Sequence, residues 1–524
     1  MIPLVKIARR NISKTLKELN RTRYNYTLFG NHERKLISET PFCIITDCAI
    51  DLDKPQPSVL IIGAGIAGLS AAQRLLQCGI YNFKILEASD RLGGRIHSCK
   101  LGETVAEMGC QYIRGACCNN TVFNLAAQEG LVRQPLGERR KSIFYCTSEG
   151  KFINSVVSAK AHNIFRKIKS DAHKLFKNNK SSKKGSLEKF LHFKIQEELR
   201  KLPEEQQSDV SRILHGLTNE IRYCVGEDLG MVSTDSIGSV TNIPGGDITI
   251  PKGFIGVLGP LLKCLPDDSI HFKKVVRLID WNIKKNKSKA TVSCIDNSVY
   301  SADYVILTVS LGVLKEQLKT LFSPPLPEYK TKAINSIGYG YADKIFMKYD
   351  RPFWVPPNGN FRLAWSREEL SNRTDWTKGL SSIQEVDGSE NTLCGLISGP
   401  EAVCMEHSTD EEVACCLTKV LRQFTGDPSL PYPSMLLRSK WATDPLFRGA
   451  CSYLNLQSSI GLQKELSNPV PSDAGRATPV LLFAGEATCE GHHSTVHGAR
   501  LSGIREAERV VRMTRRFGGP PLVN

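Results

Sequence analysis

The sequence predicts an α/β fold in which a Rossmann-like nucleotide-binding domain is interleaved with an α+β domain. Two sequence segments predict the nucleotide-binding domain. VLIIGAGIAGLS at 59–70 and PVLLFAGEA at 479–487 each indicate a buried strand, a glycine turn and a following helix. Between them lie a helix-patterned region at 120–230 and strand-like runs of another kind, KIFMKYD and TLCGLIS. A nucleotide fold that begins near 57 and ends near 510 must therefore contain insertions.

The first glycine turn has the spacing of a dinucleotide-binding motif. Gly63 allows the tight turn, Gly65 lets backbone N–H groups approach a pyrophosphate, and Gly68 lets the helix pack on the strand. The helix N-terminus adds unpaired donors and a partial positive charge. Glu87 ends the second predicted strand, 82–89, nineteen residues after Gly68, where a carboxylate accepts a hydrogen bond from a ribose hydroxyl.

A second pair of glycines follows Glu87 directly, in EASDRLGGRIHS. Gly93 and Gly94 let the backbone approach a cofactor again, and Arg95 can contact its diphosphate or ring region. An NAD-binding fold does not need this second element.

Five blocks of the sequence carry a family resemblance. They are GAGIAGLSAA…LEASDRLGGRI, TVSLGVLK, GYADKIFMKYDRPFW, SKWATDPLFRGACSY and LLFAGEATCEGHHSTVHGARLSGIREAERV, in that order. Together they resemble the flavin amine oxidase family, and within it the animal spermine and N1-acetylpolyamine oxidases. The resemblance runs from about 57 to 512 and fails over 1–55. It implies a GR2-type Rossmann-like domain that binds FAD non-covalently, beside a substrate-binding domain.

The resemblance also implies roles for single residues. Glu486 matches a carboxylate on the ribityl or diphosphate side, and Val276 matches a residue whose backbone brackets the adenine. Trp441 matches a tryptophan beside the isoalloxazine, although a core aromatic is an open alternative. The implied cofactor-binding residues are Gly63, Gly65, Ala67, Gly68, Glu87, Ala88, Arg91, Gly94, Arg95, Gly109, Cys110, Gln111, Tyr112, Val276, Trp441, Gly485, Glu486, Thr495 and Val496.

Lys344 is the candidate catalytic residue. It lies among apolar neighbours on the buried face of a predicted strand, where a lysine is costly without a partner. A structural ion pair is one interpretation. In the family that the sequence resembles, the matching lysine holds a water near flavin N5 that assists imine hydrolysis or flavin reoxidation.

Three departures from the family pattern lie where substrate would be held. Arg114 replaces a histidine, and a permanent cation there repels a polycation. Cys451 replaces an aromatic residue beside the flavin. Ser239 and Asn242 stand where spermine-oxidase-like sequences carry carboxylates, and Asp247 is nearby but out of register.

Other site interpretations stay open. Ser494 and Thr495 match small polar residues near the substrate tunnel. Cys451 could instead anchor the flavin covalently, but Ala450 occupies the matching register, so non-covalent FAD is the expectation. His492 and His493 form no metal site, because adjacent histidines point apart and no cluster of acids or cysteines completes one. The 17 cysteines lack zinc spacing and favour free thiols in a reducing compartment.

The net charge of +16 is concentrated in two segments of the sequence. Most of it lies in residues 1–23 and 160–190, so no basic stripe indicates nucleic-acid binding. No apolar run is long enough to span a membrane. We expect a cytoplasmic protein. Mitochondrial targeting by the basic N-terminus stays open, and the C-terminal PPLVN is not a peroxisomal signal.

The predicted domain organisation is discontinuous. A basic, poorly ordered extension precedes an FAD-binding domain in three pieces and a substrate-binding domain in two. The ranges are 1–55 for the extension, 56–118, 245–325 and 436–516 for the FAD-binding domain, and 119–244 and 326–435 for the substrate-binding domain.

The sequence thus predicts an FAD-dependent amine oxidase that takes spermine, spermidine or their acetylated forms. A neutral amine would donate hydride to flavin N5, water would hydrolyse the imine, and O2 would be reduced to H2O2. Two alternatives remain. Arg114 suggests oxidation of an amine that bears a carboxylate, and the altered site suggests a flavin-binding scaffold that has lost turnover.

Overall fold

The structure is a computed structural model that describes residues 56–132, 143–178, 185–282, 290–354, 359–371, 374–472 and 478–517. The predicted extension at 1–55 lies outside the described residues. None of the described helices is both long and apolar enough to cross a membrane.

A five-stranded parallel sheet forms the nucleotide-binding half. Its strands lie in the order Leu481–Phe483, Tyr304–Leu307, Val59–Ile62, Phe83–Leu86 and Ile270–His271. Hydrophobic clusters cover both faces, which explains why the strands are continuous apolar runs. Helix Ile66–Gln77 follows the central strand and packs on helix Val496–Phe517. A Cβ atom on Gly503 would lie 2.0 Å from the Ala67 carbonyl oxygen, so this crossing requires glycine.

A six-stranded sheet forms the second half of the fold. Its strands lie in the order Met435–Arg438, Ala342–Lys348, Thr392–Ser398, Leu380–Glu385, Phe361–Ala364 and Phe144–Thr147. Neighbours are antiparallel except for the last pair. Three amphipathic helices share a core beside it, Ser155–Lys177, Leu187–Leu199 and Glu204–Val225.

The described residues also form other strands and helices. The remaining strands are Ser98–Leu101, Thr104–Glu107, Tyr112–Arg114, Asp247–Thr249, Val276–Asp280, Ala290–Cys294, Val299–Ala302, Phe322–Ser323, Gly338–Gly340 and Cys451–Tyr453. The remaining helices are Thr121–Gln128, Asp235–Gly238, Gly259–Lys263, Leu311–Glu316, Glu328–Ser336, Arg367–Ser371, Pro400–His407, Asp410–Thr425 and Ile460–Ser467, with 3-10 turns at Phe254–Leu258, Trp376–Gly379 and Glu486–Thr488.

The α/β class and both glycine turns are confirmed. The expectation that 120–230 lacks strands is wrong, because Phe144–Thr147 pairs with the distant strand Phe361–Ala364. A four-residue strand of this kind has no local periodicity and is fixed by its partner. The domain boundaries stay a prediction, and the one at 436 falls within strand Met435–Arg438.

Candidate active site

A deep cleft opens at the carboxyl ends of the parallel strands, where such sheets bind their ligands. It brings together most of the predicted site residues from distant parts of the chain. Those that line it are Gly63, Gly65, Ala67, Glu87, Ala88, Gly94, Arg95, Gly109, Cys110, Arg114, Val276, Lys344, Trp441, Cys451, Gly485, Glu486, Ser494, Thr495 and Val496.

Four predicted cofactor residues do not line this cleft. Gln111 and Tyr112 line a second cavity that adjoins it. Gly68 packs the helix on the strand, since a Cβ atom there would lie 2.0 Å from the Gly63 carbonyl oxygen. Arg91 supports the second glycine pair by donating from Nη1 to the Gly94 carbonyl oxygen at 2.8 Å.

The first glycine turn leaves room for a phosphate. Gly63 has a φ of +107°, and a Cβ atom there would lie 2.5 Å from Thr308 Oγ1. A Cβ atom on Gly65 would meet nothing nearer than 3.9 Å, so this residue borders open space. Gly65 is also the N-cap of its helix, with no side-chain cap on the first-turn N–H groups. An open space beside uncapped N–H donors fits the pyrophosphate of a dinucleotide.

Glu87 is buried at the edge of the same turn. Its Oε2 accepts from the Ala64 N–H at 2.7 Å, and its Oε1 accepts from the Ser89 N–H at 2.8 Å and hydroxyl at 2.7 Å. A carboxylate has about four acceptor positions. One is therefore left for a ribose hydroxyl, which fits the role predicted for Glu87.

An ion pair joins Arg95, directly after the second glycine pair, to the buried Glu486 at the turn of Gly485. Arg95 Nη1 lies 3.0 Å from Glu486 Oε1, and its guanidinium lies 5.9 Å from the centre of the Tyr339 ring. Glu486 Oε2 also accepts from the Ser452 hydroxyl at 2.5 Å and from the Ser494 N–H at 2.8 Å. Burial raises the pKa of Glu486, but Arg95 and these donors outweigh burial, so the pKa lies below its usual value.

The hydroxyls of Ser494 and Thr495 are already used within the protein. Ser494 donates to the Ser452 carbonyl oxygen. Thr495 donates to the His492 carbonyl oxygen at 2.6 Å and accepts from the Gly498 N–H at 3.0 Å. Their positions border the cleft, but a substrate contact through either hydroxyl would have to replace one of these bonds.

Lys344 reaches the cleft from the six-stranded sheet. Its Nζ donates to the carbonyl oxygens of Glu107 and Gly109 at 2.9 and 2.8 Å, and to Gln111 Oε1 at 3.0 Å. The contacts are neutral acceptors rather than the carboxylate that an ion pair requires. Burial lowers the pKa of Lys344 below its usual value. Three acceptors saturate an ammonium, so Lys344 can hold a water only when one contact is released or the amine is neutral.

A pair of buried acids fixes the segment that carries Trp441. Glu406 accepts from the N–H groups of Ala442 and Thr443, both at 2.7 Å. Asp343 Oδ1 accepts from the Ser439 hydroxyl at 2.6 Å and from the Trp441 N–H at 3.2 Å. Burial and a hydrogen bond with Glu406 raise the pKa of Asp343 well above its usual value. The raised pKa favours the protonated form of Asp343, whose Oδ2 is buried and has no hydrogen-bond partner among the described residues.

The Asp343→Asn variant is expected to be more stable than the parent, by a margin that grows with pH. A carboxyl whose folded-state pKa is raised stabilises the fold fully below its unfolded pKa and loses that contribution as pH rises. Asparagine can donate to Glu406 and accept from Ser439 without titrating. Thermal unfolding at about pH 5 and pH 8 checks this. A margin that is the same at both pH values would contradict the raised pKa of Asp343.

Two residues that depart from the family pattern, Arg114 and Cys451, have partners that the sequence did not predict. Arg114 lies directly opposite Asp247 in a two-stranded ladder, with Nη1 3.5 Å from Asp247 Oδ2. Asp247 therefore offsets the charge of Arg114, which the sequence did not indicate. Cys451 Sγ donates to the Val225 carbonyl oxygen at 3.6 Å. Burial raises the pKa of the Cys451 thiol to about 12, which disfavours the thiolate that covalent chemistry requires.

The residues that form the wall between the two cavities were not predicted from the sequence. Tyr223 and Cys224, at the end of helix Glu204–Val225, line both. Glu220 and Arg362 line only the second cavity. No local signal identifies these residues, because they read as the polar positions of an amphipathic helix and a short strand. The left-handed Gly226, with φ of +75°, ends the helix at this wall.

Comparison with known proteins identifies the family. The profile of flavin containing amine oxidoreductases matches residues 66–511. The human peroxisomal N(1)-acetyl-spermine/spermidine oxidase is 35% identical over 491 residues, covering 87% of this chain and 95% of that protein. The probable polyamine oxidase 5 of Arabidopsis thaliana is 29% identical, covering 87% and 98%. Putrescine oxidase bound to putrescine superimposes with a TM-score of 0.63 at 20% identity, covering 87% and 99%.

The family match covers most of both sheets and of the residues that line the cleft, and it agrees with the room for a dinucleotide at the first glycine turn. The cofactor is therefore FAD, and the chain is an FAD-dependent member of the flavin containing amine oxidoreductase family.

Proposed function

We propose that the protein oxidises an amine of the polyamine type at a carbon next to nitrogen. Bound FAD would accept the hydride at N5. Water would convert the resulting imine to an aldehyde and an amine, and O2 would be reduced to H2O2. The observation that carries this proposal is the junction of the two cavities, where Lys344 and Thr495 border both. An amine in the second cavity can reach the flavin cleft there.

The residues of the junction suggest how the chain prepares the reaction. Trp441 donates from Nε1 to the Met108 carbonyl oxygen at 3.1 Å, so its ring is held at the cleft wall. Helix Val496–Phe517 begins at the same wall, and the partial positive charge of its N-terminus favours anionic character nearby. The amine must be neutral to donate hydride, so activity should rise with pH.

The competing substrate class, an amine that bears a carboxylate, has less support. Asp247 pairs with Arg114 and so competes with a substrate carboxylate for this guanidinium. Among the described residues, no other guanidinium forms an ion pair with Asp247 that would release Arg114. If Arg114 nevertheless selects carboxylates, Arg114→His should shift preference from amino acids towards polyamines. An unchanged preference would dismiss that alternative.

Anaerobic flavin reduction tests the proposal directly. Purified holoenzyme should bleach rapidly with spermine, spermidine or an N-acetyl form, and should release H2O2 when air is admitted. A control without amine should stay oxidised. Bound flavin that no such amine reduces would overturn the polyamine proposal and favour a scaffold without turnover.

A further inference from the structure

Three cysteines line the flavin cleft, Cys110, Cys224 and Cys451, and all three are free thiols. Cys110 and Cys224 also line the second cavity. Cys224 is exposed, whereas Cys110 and Cys451 are half-buried. A small oxidant that forms at the flavin is therefore released beside these thiols.

The thiols of Cys110 and Cys451 are held in their protonated form. Burial raises the pKa of the Cys110 thiol, and it raises the pKa of the Cys451 thiol to about 12. Cys451 Sγ also lies 3.7 Å from the Cys224 carbonyl oxygen and 3.6 Å from that of Val225. Because the thiolate rather than the thiol is the nucleophile, neither cysteine is suited to react with an oxidant.

The Cys224 thiol, in contrast, lies beside a cation. Arg114 lines the same two cavities, and its guanidinium interacts electrostatically with the Cys224 sulfur. Partial burial lowers the pKa of Arg114, whereas negative charge on Cys224 and Asp247 raises it and prevails. Asp247 contacts Arg114 at Nη1, which leaves other N–H donors of the guanidinium for the sulfur. An exposed sulfur beside a cation is the environment in which cysteines react.

The position of Cys224 in its helix makes this cation necessary. Cys224 lies in the last turn of helix Glu204–Val225, whose partial negative charge disfavours a thiolate. Arg222 in the same turn is buried and paired with a glutamate. Lys344 borders both cavities, but its ammonium donates to three neutral acceptors. Arg114 is therefore the cation that can stabilise negative charge on the Cys224 sulfur.

We propose that Cys224 is a modification site, at which hydrogen peroxide oxidises the thiol to a sulfenic acid. The thiolate sulfur attacks one peroxide oxygen, the O–O bond breaks, and the departing hydroxide takes up a proton to leave as water. One S–O bond forms, and the sulfur loses the two electrons that reduce the peroxide. The peroxide is a product of the proposed amine oxidation, on which this inference rests. The added oxygen lies at the wall between the cavities, where it narrows the passage and slows turnover.

Peroxide added to the holoenzyme tests the site without any amine. Dimedone, which traps sulfenic acids, is present while a small excess of H2O2 is added, and the labelled peptides are mapped by mass spectrometry. Labelling of Cys224 should be at least about tenfold faster than that of Cys110 or Cys451, because a thiolate population that differs by one pKa unit changes the rate by this factor. Label that is absent from Cys224, or equal on the three thiols, would overturn the proposal.

Turnover should leave the same mark. When amine and O2 replace the added peroxide, dimedone should label Cys224. In a parallel reaction without dimedone, the rate should decline while the flavin stays bound. Dithiothreitol should then restore the rate, because thiols reduce a sulfenic acid. A decline that dithiothreitol does not reverse, with Cys224 unlabelled, would speak against oxidation at this site.

Variants identify the two residues, with the initial rate of each protein as its own reference. Cys224→Ser should show no label at this position and no reversible decline. The matched control, Cys404→Ser, removes an exposed thiol outside both cavities and should behave as the parent does. Arg114→Gln should slow the labelling of Cys224 about tenfold, because it removes the cation. Unchanged labelling in an Arg114→Gln protein that folds with bound flavin would refute the proposed activation of Cys224.

The outcomes separate this inference from the proposed function. If no amine reduces the flavin but added peroxide labels Cys224, the proposed oxidation fails and the reactive thiol is supported. If amine turnover releases H2O2 and neither source of peroxide labels Cys224, only this inference fails. If Cys224→Ser does not fold, the mapped label on the parent decides.

Discussion

Glu486→Leu is expected to destabilise the protein by about 3 kcal/mol, the lower end for a buried pair, and to abolish stable FAD binding, because it leaves the partly buried Arg95 without its carboxylate. The same substitution removes the acceptor of the Ser452 hydroxyl and the Ser494 N–H. These groups lie at the wall of the cleft, so both the fold and the cofactor site should suffer. Chemical unfolding of the apoprotein and the flavin content of the purified protein measure the two effects.

A matched control and a double variant sharpen this test. Glu490→Leu removes an exposed carboxylate four residues away and should change stability by no more than about 0.5 kcal/mol. Arg95→Leu should be as damaging as Glu486→Leu, whereas the double substitution should cost less than the sum of the two. Strict additivity, or a Glu486→Leu protein that retains flavin and parental stability, would contradict the coupling of Arg95 and Glu486.

The nucleotide-binding half could be predicted because its functional residues lie at fixed, short distances from each other in the sequence. Gly63 is required by its φ of +107° and Gly68 by the Gly63 carbonyl oxygen, both within one strand–turn–helix unit, and Glu87 follows at the distance that the unit dictates. Such contacts involve few residues that are close in sequence. The same local logic identified the strand at Leu481–Phe483 and the turn at Gly485.

The half that contains the six-stranded sheet was predicted less completely because its contacts are long-range. Arg114 meets Asp247 across a strand pair that joins segments more than a hundred residues apart. Glu220 meets Arg362 between a helix and a short strand. Neither pairing leaves a local pattern, because each residue alone looks like an ordinary surface charge. The strand register decides which charged side chains of the site lie opposite each other and offset each other's charge. The sequence does not reveal this register.

The burial of Lys344 could be predicted from a local pattern, but its hydrogen-bond partners could not. Its alternation with apolar residues predicted a buried lysine with a partner, and the structure places it at the junction of the cavities. The nature of the partners decides its interpretation. Backbone carbonyls and an amide, unlike a carboxylate, do not hold the ammonium form strongly against burial. A lysine in such surroundings is suited to proton transfer rather than to a structural ion pair.

Lys344→Met is accordingly expected to lower kcat about a hundredfold, within the range of general acid–base contributions, while FAD stays bound. Methionine fills a similar volume, and the cost of leaving two carbonyls and Gln111 without a donor is about 1–3 kcal/mol each at most. The matched control is Lys348→Met, at the end of the same strand and away from the cleft, which should leave kcat unchanged.

The pH profile distinguishes a proton-transfer role from a packing role for Lys344. Burial lowers the pKa of Lys344, so the neutral amine, which can accept a proton from water, becomes populated below the usual range for lysine. The parent rate should therefore rise with pH in two steps, one for the substrate amine and one for Lys344. Lys344→Met should keep only the substrate step, which is checked with two amines of different pKa. If the variant keeps both steps, or loses activity only with its flavin, Lys344 serves the fold and the proton-transfer role is wrong.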